Sequence, residues 1–297
     1  MKSFVCKISV FSLCILLPLL CAEVYVESLP NPSRSKHMWM QQHSRSVKTL
    51  ILGSSHTFYG VRPDLLPSAY SLAQIAQTYR YDDYLLKHYP TDSLRTVILP
   101  FSYFSLYEDF ESMPRERFNA IRYRIYMDCD IHPRISYYGF EFSSINSLTE
   151  KLKSLWQSPS LSWDSLGWGT DYTLARRPSL WDNGADAAAN NTYADTTLVP
   201  LNTALLDDMM TYCEHRGIQL LLITTPLSHD FLSNQSTGQL CRNATQLSSL
   251  LAAHPAVKYV DYSADSDFSD ADFYDSHHLN EYGAEKLTLK LLDIIDR

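Results

Sequence analysis

The sequence has no long run of Lys or Arg, no CxxC pair, no Cys/His cluster and no internal repeat. The first absence, with a formal net charge of −8, argues against nucleic acid and anionic membrane surfaces as partners, because both need clustered cations. Lacking the usual ligand spacings, the chain offers no structural zinc site, and no metal is expected. Without a repeat it reads as one large domain rather than an array. Of its six cysteines, Cys6, Cys14 and Cys21 lie in an apolar segment and read as small hydrophobes. Cys129, Cys213 and Cys241 remain, enough for one disulfide at most, with one thiol left free.

What is present is ordinary globular material. The 297 residues are 45% hydrophobic and 20% charged, with length for a sizeable core. Twenty tyrosines are many, and a number of them lie between Tyr103 and Tyr193. Tyrosine stacks on sugars, but it packs cores equally well, and packing is the default reading. Lys2 and Lys7 precede ISVFSLCILLPLLCA, a charge-free run closed by Glu23 and Glu27. That pattern directs a chain toward export. Residues 1–30 read as an uncleaved N-terminal membrane anchor with Lys2 cytoplasmic and the rest outside, in the cell envelope. A cleaved signal is the alternative.

SLPNPSRSKH, with two prolines, marks a linker over residues 31–46. Beyond it, short apolar runs alternate with helical patterns. VKTLILG (47–53), AYSLA (69–73), LRTVILPF (94–101), IQLLLITTP (218–226) and VKYVDY (257–262) are candidate strands. Helical spacing falls over 77–89, 201–217 and 239–254, and again from Asn280 onward. Strands with little polar alternation, separated by helices, predict a parallel sheet covered on both faces. The fold class is therefore α/β, a three-layer flavodoxin-like sandwich with a five-stranded parallel sheet, spanning 47–297. A Tyr-, Trp- and Ser-rich insertion follows the third strand, at about 103–198, and packs over one edge of the sheet.

In such folds, sites form at the carboxyl ends of strands. Gly53-Ser54-Ser55-His56 stands at that end of the first strand. A serine hydroxyl needs a base, normally a histidine oriented by a carboxylate. Asp275 and His278, three apart after the last strand, can supply both from the same rim. His277 competes with His278 for the base role, and the spacing from Asp275 favours His278. His56, adjacent to Ser55, reads as a supporting or packing residue. Gln74, Gln77 and Tyr103 are further candidates for substrate contact, a role that packing would mimic. The six aspartates of 261–275 suggest a solvated loop in preference to a calcium loop, which would want the glycine and terminal Glu of an EF-hand. GWGTDY (167–172), with Trp163 and Trp168, reads either as a sugar-stacking surface or as a small core.

These residues resemble the SGNH (GDSL-type) hydrolases. Gly53-Ser54-Ser55 is similar to the family's first block, Gly-Asp-Ser. Asp275-Ser276-His277-His278 is similar to its last block, Asp-x-x-His, and the following HLN and Gly283 resemble relatives that modify envelope polysaccharides. The resemblance covers about 47–102 and 201–297. It implies Ser55 as nucleophile, His278 as general base and Asp275 as its orienting partner. It also implies an oxyanion hole from the N–H groups of Ser55 and Ala73, with Ser102 standing near the position of the family's third-block Asn. No cofactor is implied. The expected activity is hydrolysis or transfer of O-acyl esters on a cell-envelope glycan, the partner being an acylated glycan or small acyl ester. The alternative is a catalytically silent scaffold that binds glycan or a membrane acyltransferase.

Overall fold

The computed structural model describes residues 2–110, 119–129, 131, 140–141, 149 and 162–295. The chain divides into two compact units, Met1–His37 with Pro114–Ser160, and Met38–Met113 with Leu161–Arg297.

In the first unit, α1 (Lys2–Ser28) is exposed along its apolar length, and Phe4–Ser28 is long and apolar enough to cross a membrane. The next helix in the chain is α2 (Pro32–His43), whose first half belongs to this unit and whose second half belongs to the other. The stretch expected as a linker is thus largely helical. Its prolines explain the error, since Pro32 stands at the first helical position, where a missing N–H costs nothing. Asn31 helps start the helix by accepting the Arg34 N–H at 2.8 Å.

The second unit holds the sheet. Its strands are β1 (Thr49–Ile51), β2 (Ala69–Ser71), β3 (Thr96–Pro100), β4 (Gln219–Thr224) and β5 (Lys258–Asp261). All pair in parallel in the order β2-β1-β3-β4-β5, as the alternation predicts. Every residue of β1, β2 and β3 is buried, which is why these strands read as continuous apolar runs. Ile51, Ile98, Leu221 and Ile223 share a core cluster with Leu287 and Leu291 of the closing helix.

The helices of this unit are α3 (Ser55–Gly60), α4 (Tyr79–His88), α6 (Gly184–Asn190), α7 (Val199–His215), α8 (His229–Ser233), α9 (Thr237–Ala253) and α10 (Glu281–Ile295), while α5 (Asn119–Tyr126) lies in the first unit. Serine side chains start two of them: Ser228 accepts the Phe231 N–H at 3.3 Å and Ser236 the Gln239 N–H at 3.5 Å. Of the expected insertion, residues 111–118, 130, 132–139, 142–148 and 150–161 lie outside the described residues. Its later part runs along the β2 edge, where the Ser71 N–H donates to the Leu166 carbonyl at 3.0 Å. Cys129, Cys213 and Cys241 are free thiols.

Candidate active site

The site begins with a turn that only glycine can make. Gly53 has φ of +104°, and a Cβ there would lie 2.2 Å from two ring carbons of Pro100, the last residue of β3. Its N–H donates to Asp82 Oδ1 at 2.7 Å, and its carbonyl accepts the Gln74 N–H at 3.1 Å. The Thr57 hydroxyl closes the turn from below by donating to Leu52 O at 2.6 Å. Ser54 is extended and buried, so Ser55 becomes the first residue of α3. Between Thr49 and Val61, Ser55 is the one residue that is not fully buried.

A second loop meets it. Asn280 is fully buried; its amide donates to Ala271 O at 2.7 Å and Phe273 O at 3.2 Å. Its carbonyl oxygen accepts the N–H groups of Tyr282 and Gly283 at the start of α10. One side chain therefore caps the helix and pins the loop before it. Gly283 completes the fit, because a Cβ there would come within 2.2 Å of the Asp272 carbonyl oxygen. The Tyr274 N–H donates to His278 O at 2.9 Å, closing the loop on itself.

Inside that closed loop, Asp275 Oδ1 accepts the N–H groups of His277 (3.0 Å) and His278 (2.9 Å). The same carboxylate lies 2.9 and 3.0 Å from His278 Nδ1. A carboxylate at Nδ1 fixes the proton there and leaves Nε2 as an acceptor. Nε2 lies 2.8 Å from Ser55 Oγ. Burial alone would raise the Asp275 pKa, but the facing His278, its hydrogen bond and His277 outweigh it and hold the carboxyl well below the usual range.

The other expected residues are arranged differently. Ala73 is fully buried beside the Gly53 turn, between Leu72 and Gln74, whose N–H groups donate to Ile51 O and Gly53 O. Ser102, expected as an oxyanion donor, is buried with its hydroxyl 3.1 Å from His56 Nδ1 and its N–H donating to Ser105 Oγ. Tyr103, expected to touch substrate, has its hydroxyl between Thr192 Oγ1 and the Ser236 N–H, both at 2.8 Å. Gln74 is buried, and Gln77 donates its amide to Asp82 at 2.5 Å. The side chains of Ser102, Tyr103 and Gln77 tie loops together, a use that sequence spacing does not distinguish from rim exposure. The acidic loop is paired rather than merely solvated, with Lys290 on Asp265 and Asp267 and Lys286 on Asp272.

His56 is buried under the serine. Its Nδ1 lies 3.1 Å from both Ser102 Oγ and Thr225 Oγ1, and its Nε2 is buried with no hydrogen-bond partner among the described residues. Burial, then the neighbouring His278 and His277, lowers its pKa well below the ordinary value. Burial and His278 likewise pull His277 down to about 3, against the opposing charge of Asp275. Sequence reasoning missed Asp82, although its carboxylate holds the Gly53 N–H; burial pushes its pKa up to about 7 against those hydrogen bonds. It also missed a three-ring stack in which Tyr172 lies 3.6 Å from Tyr59 and 3.9 Å from Tyr274. Tyr172 meets the His278 ring edge-on at 5.2 Å, so GWGTDY leads into a wall of the site. Trp168 joins that wall by donating Nε1–H to Tyr59 O at 2.9 Å.

No family model matches the chain, and no curated protein is significantly similar to it. Among solved structures it is similar to a candidate acylhydrolase from Bacteroides fragilis, at 11% identity and a TM-score of 0.42, over 92% of this chain and 93% of that one. It is also similar to a GDSL-like lipase from Bacteroides thetaiotaomicron, at 10% identity and a TM-score of 0.45, over 90% of this chain and 98% of that one. Likeness at this distance carries no argument about chemistry, which rests on the chain's own Ser55, His278 and Asp275.

Proposed function

We propose that this protein is a serine-dependent enzyme of O-acyl esters, with Ser55 as nucleophile, His278 as general base and Asp275 as its orienting partner. The observation that carries the reading is the unbroken chain from Asp275 through both nitrogens of His278 to Ser55 Oγ, each link 2.8–3.0 Å. Ser55 Oγ attacks the ester carbonyl carbon while its proton passes to His278 Nε2. The proton then goes to the departing alkoxide, leaving an acyl group on Ser55. Water activated by the same nitrogen completes hydrolysis, whereas a sugar hydroxyl in its place completes transfer. The Ser55 N–H, first in α3 and so without an intrahelical acceptor, is the natural donor to the oxyanion.

A glycan ester fits the surroundings. Tyr274 is partly exposed at the end of the Tyr59–Tyr172–Tyr274 stack, beside Asp275, and offers a ring face of the kind sugars rest on. With α1 as an anchor or export signal, the substrate would belong to the cell envelope. The rival reading is a silent scaffold for glycan or a membrane acyltransferase, favoured by the inward turn of Ser102.

The test is to treat the full chain, in detergent, with a fluorophosphonate probe and weigh the intact protein. Labelling of the wild type that is lost in Ser55→Ala and in His278→Ala supports the enzyme. A folded protein that takes no label would leave the scaffold as the better account.

A further inference from the structure

We infer that His56, His277 and His278 form a binding site for a divalent transition-metal ion of the zinc class, and that the bound ion silences Ser55. One ring nitrogen from each histidine lies within 4.8 Å of the others. Ring centroids are 4.1 Å apart for His277 and His278, 5.0 Å for His56 and His278, and 5.6 Å for His56 and His277. The sequence expectation of no metal-ligating cluster is revised here, because the trio forms only when the first and last loops meet.

The orientation of the rings favours a metal. Each Nδ1 already faces a polar neighbour. For His56 these are Ser102 and Thr225; for His277, Ser276 Oγ at 3.4 Å and Asp275 at 3.3 Å; for His278, Asp275 at 2.9 Å. Metal-binding histidines are held in this way, with one nitrogen anchored by an oxygen and the other turned to the ion. That leaves Nε2 of His56 and of His277, together with His278 Nε2, which faces Ser55 Oγ at 2.8 Å. The His56 Nε2 is buried and has no partner among the described residues, so a metal would satisfy an acceptor that those groups leave open.

Zinc–imidazole bonds of about 2.0–2.1 Å place tetrahedral ligands closer together than 4.8 Å, so small ring rotations would close the site. His277 is only partly buried and can supply that movement. Asp275, against two of the three rings, adds negative charge behind the ion. The same His278 Nε2 lone pair cannot both ligate the ion and accept the Ser55 proton. Binding itself does not depend on the esterase reading; the silencing does rest on it.

The experiment strips the full chain with EDTA and titrates it with Co²⁺, then with Zn²⁺, in detergent. The expected result is visible absorption of a tetrahedral Co²⁺ complex saturating at one ion per chain and bleached by Zn²⁺. Fluorophosphonate labelling of Ser55 should fall in step with bound Zn²⁺ and return with EDTA. His277→Ala, at a partly exposed position, should weaken binding by at least about 10-fold. His56→Ala should do the same provided its far-UV spectrum and melting match wild type. Absence of saturable binding, or binding indifferent to His277→Ala, would overturn the site. Metal binding without any labelling would leave the site standing and remove the esterase.

Discussion

Two loops bring polar groups to the rim around Ser55, and they use them in opposite ways. The loop at 271–280 is tied down through Asn280, and it turns its histidine toward Ser55 with a carboxylate behind it. The end of β3 carries Ser102 to the same region but turns its hydroxyl inward, onto buried His56. Position at the rim therefore does not make a group reactive. What matters is which hydrogen-bonding atom is left over after the fold has satisfied the rest, and there it is His278 Nε2 toward Ser55, not Ser102 Oγ.

The strongest way to break this contrast is to disable the pairing of Ser55 with the histidine loop. Ser55→Ala or His278→Ala should lower turnover of an activated ester by on the order of 10⁴-fold or more, because nucleophile and base act as one unit. Asp275→Asn should lose a comparable amount, since an amide can present its N–H to Nδ1 and place the imidazole proton on the wrong nitrogen. Rates within about 10-fold of wild type in any of the three would show that the arrangement is not used for acyl transfer.

Next in size is the turn that exposes Ser55. Gly53→Ala introduces a Cβ into the Pro100 ring at a positive φ, and nothing in that buried corner can retreat. Urea unfolding should report a loss of about 3 kcal/mol, from strain and overpacking together. A loss under about 0.5 kcal/mol would mean that β1 and β3 part easily, and that the serine is not held as rigidly as the buried turn implies.

That corner also marks where the sequence stops being readable. The first four strands show in the sequence because burial writes nearly continuous apolar runs, whereas the half-exposed β5 and the main helices show through the alternation of short apolar stretches with helical spacing. Ser55, Asp275 and His278 show as well, two of them being three residues apart and the third following a strand–glycine junction. Ser102, Tyr103 and Gln77 carry hydrogen-bonding groups near strand or helix ends. Their sequence neighbours cannot say whether they face a cleft or a partner such as His56, Thr192 or Asp82. Asp82 was invisible for a related reason: it sits on the buried side of α4, where a helical pattern predicts an apolar residue, and its partner lies 29 residues away.

Asp82 gives a smaller effect with a definite sign. Its folded pKa of about 7 stands above the ordinary carboxyl value, so between roughly pH 4 and pH 7 the folded state holds a proton that the unfolded chain has lost. Stability should therefore fall as pH rises through that window and level off above it. Asp82→Asn keeps an oxygen for the Gly53 N–H and cannot ionise, so its stability should change less, by roughly 1–3 kcal/mol across the window. Equal slopes for the two proteins in urea titrations from pH 4 to 8 would show that Asp82 ionises as an exposed carboxyl does.

The smallest effect should come from Ser102, and it sharpens the contrast most. An oxyanion donor lost at that position would cost about 100- to 1,000-fold in kcat. A hydroxyl held on buried His56 is a structural partner instead, and Thr225 Oγ1 remains 3.1 Å from the same nitrogen to take over. Ser102→Ala is therefore expected to keep kcat within about 10-fold and to cost about 1 kcal/mol of stability. Measuring both on one protein separates the two roles, because loss of a transition-state contact moves kcat and not the unfolding midpoint. A large fall in kcat with unchanged stability would mean that Ser102 turns outward when an ester binds, and the two loops would then serve the same reaction.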